Sequence, residues 1–428
     1  MIPSETASKR WIELSAALAS HETDKAYSLG THRICDPAET YDRIRPHFAR
    51  MGLTRVADVT GLDHIGIPVC MAVRPNAKSL SVSQGKGSTL MAAKVSAAME
   101  SIELYHAENI ETEIVTASFS ELSRRAEVLD PREMGLMPGA HFHEDLPLPW
   151  VKGYDLLGQT EIFATLEQVS VDFTHTPNDL PMFWQSSNGL ASGNHILEAI
   201  SHAICEVVER DAIVWWKAPI EEHGQSYVDL STIDSPTIRG MLDLLDKAGV
   251  QVYVIDRTSP VGIPTFDCVI FARDVITAAA APVYGGHGCH LSKEVAILRA
   301  VTEAVQSRLT LIAGSRDDMF WSDYHAGVNE VARNNWEFLR SLRPAVDYRT
   351  LPSLETASLA SDVAKQLSML KQAGYERVIA FDLTKPEFGI AVARVIIPGM
   401  DAEHKGETNP ERTKQYRLKK LMDWFYKK

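Results

Sequence analysis

Four side chains in the stretch 193–212, GNHILEAISHAICEVVERDA, are spaced for chemistry: Glu198, His202, Glu206 and Glu209 fall four, four and three residues apart. A helix with 3.6 residues per turn sets all four along one face. Ile196, Leu197, Ile200, Ile204, Val207 and Val208 fall largely elsewhere on the wheel and make the helix strongly apolar. A row of acids on such a helix is either a solvated face or a set of half-buried carboxylates, and buried carboxylates need cations. A divalent metal is the usual answer where several carboxylate oxygens converge. With Arg210 following at once, the row predicts a Mg²⁺ site.

Two further stretches share this make-up. The helix expected over 90–107 carries Ser96, Glu100 and Glu103, and the one expected over 293–313 carries Arg299 and Glu303, then Gln306 and Arg308. Each is apolar, each bears acids at helical spacing, and each follows a glycine-bearing loop: GKG, SGN and GGHG. Alone, Arg299 and Glu303 would read as a surface ion pair of about 0.3 kcal/mol. Together, Glu100, Glu103, Glu206, Glu209 and Glu303 are expected to ligate one or two Mg²⁺ ions, with Lys86, Arg210 and Arg299 balancing phosphate charge. That is the inventory of an ATP-dependent enzyme. The Lys86 loop would lie ahead of a helix N-terminus, where backbone N–H groups hold phosphate. It is no P-loop, because Gln84-Gly85-Lys86-Gly87-Ser88 lacks the upstream glycine. Cys289 in GGHGCH, with His287 or His290 as base, admits a nucleophile reading, against which stands a buried cysteine ahead of a helix.

The elements that must position these residues follow from the rest of the chain. Its 428 residues, 45% hydrophobic and 23% charged, suit a soluble globular protein of composite domain structure. A net charge of −13 argues against a nucleic-acid surface. Five scattered cysteines without a CxxC pair suggest neither a disulfide framework nor a zinc site, and no apolar run reaches the length of a membrane span. A cytoplasmic location is expected. Helices are predicted near 8–18 and 37–51, strands from Val56 and again around 160–171. A helix over 235–248 then leads to three strands, VQVYVID, PTFDCVIFA and VITAAAAPVY, with GGHGC as a tight turn after them. The order predicts a mixed α/β, α+β fold rather than regular βαβ winding. Residues 1–54 read as a helical lead-in, 55–400 as the catalytic domain and 401–428 as a basic helical tail.

The stretches SQGKGSTLMAAKVSAAMESIELYHAE, SGNHILEAISHAICEVVERDA and LSKEVAILRAVTEAVQSR, with a closing VARVIIPGM, resemble the YcaO family of ATP-dependent enzymes that modify peptide backbone amides. The resemblance implies a mixed-sheet fold whose long helices converge on a Mg²⁺-ATP site without a P-loop. It implies that Lys86, Ser96, Asn194, Glu198, Arg210 and Arg299 contact the nucleotide, and that Glu206, Arg210 and Arg299 serve catalysis. Glu100, Glu103, Glu206, Glu209 and Glu303 would hold metal; His202 matches no family role and reads as a packed or hydrogen-bonded histidine. The implied reaction adds a nucleophile to a backbone amide carbon, transfers phosphate from ATP to the amide oxygen and expels it. A Cys, Ser or Thr side chain then gives an azoline, and sulfide a thioamide. The chain ends in DWFYKK, without the proline-rich PxPxP ending of many azoline formers, and about 50 residues before the match are too few for a leader-binding domain. The segment LGTHRICDPAETYDRIRPHFARMGLTRVADVTGLDHIGIPV is similar to the subgroup that works with a TfuA partner and forms thioamides. Thioamidation of a precursor peptide or protein, with a sulfide donor and a homodimeric enzyme, is therefore expected ahead of azoline formation or a non-catalytic scaffold.

Overall fold

The computed structural model describes residues 23–174, 181–216, 227–273, 283–320 and 344–400. The helix expected near 8–18 and the basic helical tail expected from 401 lie outside the described residues.

Three sheets carry the fold. β1 (Arg55–Asp58), β2 (Val69–Val73) and β3 (Val82–Lys86) form an antiparallel sheet in that order. A second sheet runs β11 (Tyr284–Cys289), β10 (Thr265–Ala272), β9 (Val250–Asp256), β8 (Tyr227–Asp229) and β12 (Pro344–Asp347). The third runs β4 (Ile114–Ala117), β5 (Leu148–Asp155), β13 (Ile379–Asp382), β14 (Ala391–Ile396) and β7 (Leu190–Gly193), with β6 (Thr160–Thr165) paired to β5. β8 and β12 pair in parallel and the other pairs are antiparallel, so the expected mixed α/β fold without βαβ winding is what forms.

Helices cover the sheets. α1 (Pro37–Ile44) starts under an Asp36 cap whose carboxylate accepts from the Ala38 N–H at 2.7 Å. It ends earlier than the predicted 51, because Arg45 precedes Pro46 and the chain tightens into a 3₁₀ turn, Arg45–His47. α2 (Leu90–Glu108) packs on β2 and β3; α3 (Ile196–Trp216) packs on β7 and β14. α4 (Pro236–Lys247) lies against β9, and α5 (Lys293–Ala313) crosses β10 and β11. α6 (Leu359–Gln372), capped by Ser358, packs on α3.

Two stretches expected as loops are strands. Gly85 and Lys86 of GKG close β3 and GGHGC lies in β11, while residues 275–282 of the predicted strand VITAAAAPVY lie outside the described residues. The glycines there serve close packing. A Cβ on Gly85 would lie 1.9 Å from the Ala97 nitrogen of α2, and one on Gly286 2.2 Å from the Ala304 nitrogen of α5. Bare backbone lets each of these helices settle directly on the strand that precedes it, and this fixes α2 and α5 relative to the sheets. Ile297, Val301 and Val305 of α5 join Val254, Phe266 and Ile270 in one apolar core, while Leu197, Ile200 and Ile204 of α3 join Val363 and Leu367 of α6 in another.

Ahead of α1 runs a strap, residues 23–35. Thr23 accepts from the Leu359 N–H at 3.0 Å, Lys25 pairs with Asp362 at 2.5 Å with both side chains buried, and Tyr27 and Arg33 exchange two 2.9 Å backbone bonds. Ile34 N–H donates to Glu198 Oε1 at 2.6 Å.

Candidate active site

α2, α3 and α5 face one cavity of about 1150 Å³, across which the strap passes. Every residue assigned to the site from sequence lines it: Ser96, Glu100 and Glu103 from α2, Glu206, Glu209 and Arg210 from α3, Arg299 and Glu303 from α5. Glu198 comes from the first turn of α3, Asn194 from the bend between β7 and α3, and Lys86 from the end of β3.

Burial dominates the electrostatics. It pushes Glu100 up to about 7, against the Lys86 and Arg316 charges. It raises Glu103 to about 8 despite donation from Ser192 N–H (2.8 Å) and Oγ (2.7 Å), with Glu100 and Glu206 adding like charge. Glu206 is raised by burial to about 7 although Arg210 opposes it, and Glu209 rises through burial and then the charge of Glu303. Glu303 goes the other way. Burial works against its ionisation, but the Lys86 ammonium at 2.6 Å, with Arg210 and His287, outweighs that and holds it at about 2. Like charges that share a low-dielectric space favour protonation unless a cation joins them.

The carboxylates surround the cavity instead of forming a tight cage. Among the described residues no three His, Cys, Asp or Glu side chains are grouped closely enough to enclose an ion by themselves. This donor set suits Mg²⁺, which takes one or two carboxylates and completes its shell with phosphate oxygens and water. The cations and the cavity volume suit the phosphates and body of a nucleotide.

Other side chains have specific positions. Glu198 is only 1% exposed, and both its oxygens are engaged, one by Ile34 N–H and the other by Asn194 N–H at 2.8 Å, so it joins the strap to α3. Asn194 Oδ1 accepts from Thr40 Oγ1 at 3.0 Å and from Arg43. His202 is the hydrogen-bonded histidine expected: burial, then the Arg299 and Arg33 charges, keep it neutral, and its Nε2 accepts from Arg299 Nη2 at 2.6 Å. Cys289 is fully buried, hydrogen-bonded with Cys205, and its thiol is driven far up by burial, which removes the nucleophile reading. The His287 imidazole Nδ1 instead bonds Asp267 Oδ1 at 2.7 Å, and its backbone N–H donates to Glu303 Oε1 at 3.3 Å.

Sequence reasoning missed Arg33, Arg316 and Gln84, which also line the cavity. Arg33 lies in an irregular strap with no periodic signal, and its one clue was the position of a cation beside a glycine turn, LGTHR.

Residues 84–401 match the family described as YcaO cyclodehydratase, ATP- and Mg²⁺-binding. The chain is 36% identical over 396 residues to a Rhizobium leguminosarum bv. trifolii protein described as an uncharacterized protein in the tfuA 3′ region, covering 88% of this chain and 90% of that one. It is 34% identical over 383 residues to an uncharacterized protein of Methanothermobacter thermautotrophicus, covering 88% of this chain and 96% of that one. Among solved structures, YcaO from Methanopyrus kandleri bound with AMPPCP and Mg²⁺ superposes with a TM-score of 0.70 at 22% identity, over 90% of this chain and 99% of that chain. A heterocyclase in complex with substrate and cofactor gives 0.74 at 23% identity over 89% of this chain, which spans about half (55%) of that protein. These likenesses establish the fold. Among the described residues no helix is long and apolar enough to cross a membrane.

Proposed function

The chain belongs to the YcaO family of ATP-dependent, Mg²⁺-binding amide-modifying enzymes, and from that membership we propose that it converts a backbone amide of a precursor peptide or protein into a thioamide. The observation that carries this reading is the 36% identity, over nearly the whole chain, to a protein encoded in a tfuA region. Residues 55–400 are the catalytic unit in this proposal, 1–54 a lead-in and 401–428 a basic tail. The enzyme works as a cytoplasmic homodimer with a TfuA-like partner and a sulfide donor.

Mg²⁺ held by these carboxylates would supply charge neutralisation for phosphate, and ATP would supply the phosphoryl group that turns an amide oxygen into a leaving group. The chain's residues do the rest. Glu100 and Glu103 from α2, Glu206 and Glu209 from α3 and Glu303 from α5 offer oxygen donors from three directions. Arg299, oriented by neutral His202, presents its guanidinium to anionic oxygens, and Arg210 stands one residue beyond Glu209. Lys86 neutralises Glu303 and can exchange that carboxylate for phosphate. Ser96 and Asn194 contribute polar contacts to the nucleotide. Sulfide attacks the amide carbon, and the departing oxygen leaves as phosphate.

A second reading is azoline formation on Cys, Ser or Thr, favoured by the cyclodehydratase description of the family and by the heterocyclase fold likeness. A non-catalytic scaffold is disfavoured because the full set of acids and cations lines the cavity. Intact-mass analysis of candidate precursor peptides incubated with the enzyme, Mg²⁺-ATP and sulfide, with and without a TfuA-type protein, separates these. Exchange of one oxygen for one sulfur is expected. Loss of one water would replace thioamidation by cyclodehydration and leave the fold and site intact.

A further inference from the structure

Residues 43–55, RIRPHFARMGLTR, hold four arginines and a histidine and no acid, in a chain whose net charge is −13. The segment leaves α1, makes the 3₁₀ turn and folds into a compact knot ahead of β1. The Met51 N–H donates to the His47 carbonyl at 3.2 Å and the Leu53 N–H to the Phe48 carbonyl at 2.9 Å, with Gly52 turning the chain at φ +73°. Phe48 and Val56 pack with Leu53 in one apolar cluster, which holds the two ends of the knot together.

Arg43, Arg45, Arg50 and Arg55 are all exposed, and among the described residues none of them pairs with a carboxylate. Arg43 donates to Asn194 Oδ1, and the Arg50 guanidinium lies 4.7 Å from the centre of the Phe388 ring. The side chains of Arg45 and Arg55 have no hydrogen-bond or ion-pair partner among the described residues. Arginines elsewhere on the surface differ: Arg132, Arg273 and Arg349 each reach a carboxylate, at 2.7, 2.5 and 2.5 Å. The acids that border the knot leave it unanswered. Asp58 accepts from the Thr60 N–H at 3.0 Å, and Glu39, Asp42 and Glu387 are exposed and make no ion pair among the described residues. Like charges gathered without counter-ions repel one another, and an anion brought from outside relieves that repulsion.

The knot also adjoins the cavity. Pro37 and Thr40 of α1 line it, as does Asn194, to which Arg43 is bonded. The arginines therefore start at a cavity wall and continue onto the surface. We propose that residues 43–55 are a docking surface for an acidic stretch of the polypeptide whose backbone amide enters the cavity. This rests on the peptide reading of the substrate and adds its chemistry, a run of Glu and Asp to one side of the modified amide. An extended segment of about ten residues spans about 33 Å, enough to meet several separate guanidinium groups while its end stays at the cavity. Exposed charges of this kind steer a partner and set its register, at a strength that salt screens. A nucleic acid fits less well, because a long polyanion also meets the negative remainder of the chain, whereas a short acidic segment meets the knot alone.

The test uses fluorescent decaglutamate, and the same peptide extended by a few glycines and a photoreactive benzoylphenylalanine. Anisotropy reads its binding to the full chain, to Arg45→Gln/Arg50→Gln/Arg55→Gln, to the same triple carrying Lys, and to a control, Arg132→Gln/Arg273→Gln/Arg349→Gln. Affinity is expected to fall about tenfold or more in the first variant, to be largely kept with Lys and to stay parental in the control. The parent's affinity should fall as salt rises from about 0.05 to about 0.5 M. AMPPCP binding should be parental throughout, since none of these residues lines the cavity. The photoreactive end should crosslink to the cavity wall, with Thr40 and Asn194 within its reach. No binding of decaglutamate by the parent, or an equal loss in the knot and control variants, overturns the proposal. Tighter binding of a decathymidylate overturns it in favour of a nucleic-acid surface, and crosslinks confined to residues outside the cavity overturn it in favour of an acidic face of a partner protein. Should the triple variant melt lower than the parent, Arg45→Gln and Arg55→Gln decide singly, and parental affinity in both overturns the proposal. All of these readings are of binding without turnover, so their failure leaves the thioamide reading to the mass measurement that tests it.

Discussion

At the scale of single residues, the site is governed by acids that burial holds above their ordinary range. Glu206 is raised by burial and by the like charge of Glu209 against the opposing charges of Arg210 and Arg394, and its replacement by Gln keeps shape and removes one anionic donor. We expect Glu206→Gln to lower ATP turnover roughly a hundredfold or more while leaving circular dichroism unchanged; parental phosphate release would remove the metal-site reading. The same acids set a pH dependence. Glu100, Glu103 and Glu206 titrate at about 7, 8 and 7 in the folded chain, against about 4.3 for an exposed glutamate. Their contribution to stability is complete below the unfolded value and is lost as pH rises through the folded ones. Glu303, held at about 2, is an opposite contributor whose stabilisation is lost only in strong acid. The metal-free protein should therefore melt at progressively lower temperature from about pH 5 to about pH 8.5, and saturating Mg²⁺ with AMPPCP should flatten the decline. A flat metal-free profile would mean that these acids are already solvated.

At the scale of elements, the site depends on helices laid on bare strands. Gly286→Ala and Gly85→Ala force a methyl into helix backbone and should each cost about 1–3 kcal/mol in urea unfolding, or prevent folding. Gly285→Ala, whose Cβ would meet nothing within 4 Å, should change stability by less than about 0.5 kcal/mol. Equal effects at Gly285 and Gly286 would contradict the packing account. These glycines also explain which part of the fold the sequence displays. The helices are legible because apolar side chains at helical spacing mark their buried faces, and the acids between those positions point to the cavity. The strands beneath them are not, because a glycine chosen for close approach looks the same in sequence as one chosen for a turn. In sequence GKG and GGHGC read as loops for that reason. Glu198 was assigned to the nucleotide through its family position, yet its engagement with Ile34 depends on a contact 164 positions away that no local pattern encodes.

At the scale of the whole molecule, distant segments complete the cavity. β7 is paired with β14, Gly193 opposite Ala391, and the strap reaches α6 through the buried Lys25–Asp362 pair. Lys25→Met leaves Asp362 as an uncompensated buried charge and should cost about 3–5 kcal/mol by thermal or urea unfolding. AMPPCP affinity should weaken in parallel, since the strap lines the cavity; full stability in this variant would show the strap to be loosely attached. None of this long-range closure is visible in local sequence, where the strap is merely polar and irregular. The bond from Lys25 to the Thr356 carbonyl spans 331 positions. On the ribosome the strap is made 331 positions ahead of its anchorage, and at about 5–20 residues per second the two are separated by tens of seconds of translation. Throughout that interval a nascent chain carries the strap without its fastening, so the wall that the strap gives the cavity can be secured only after Asp362 has been made.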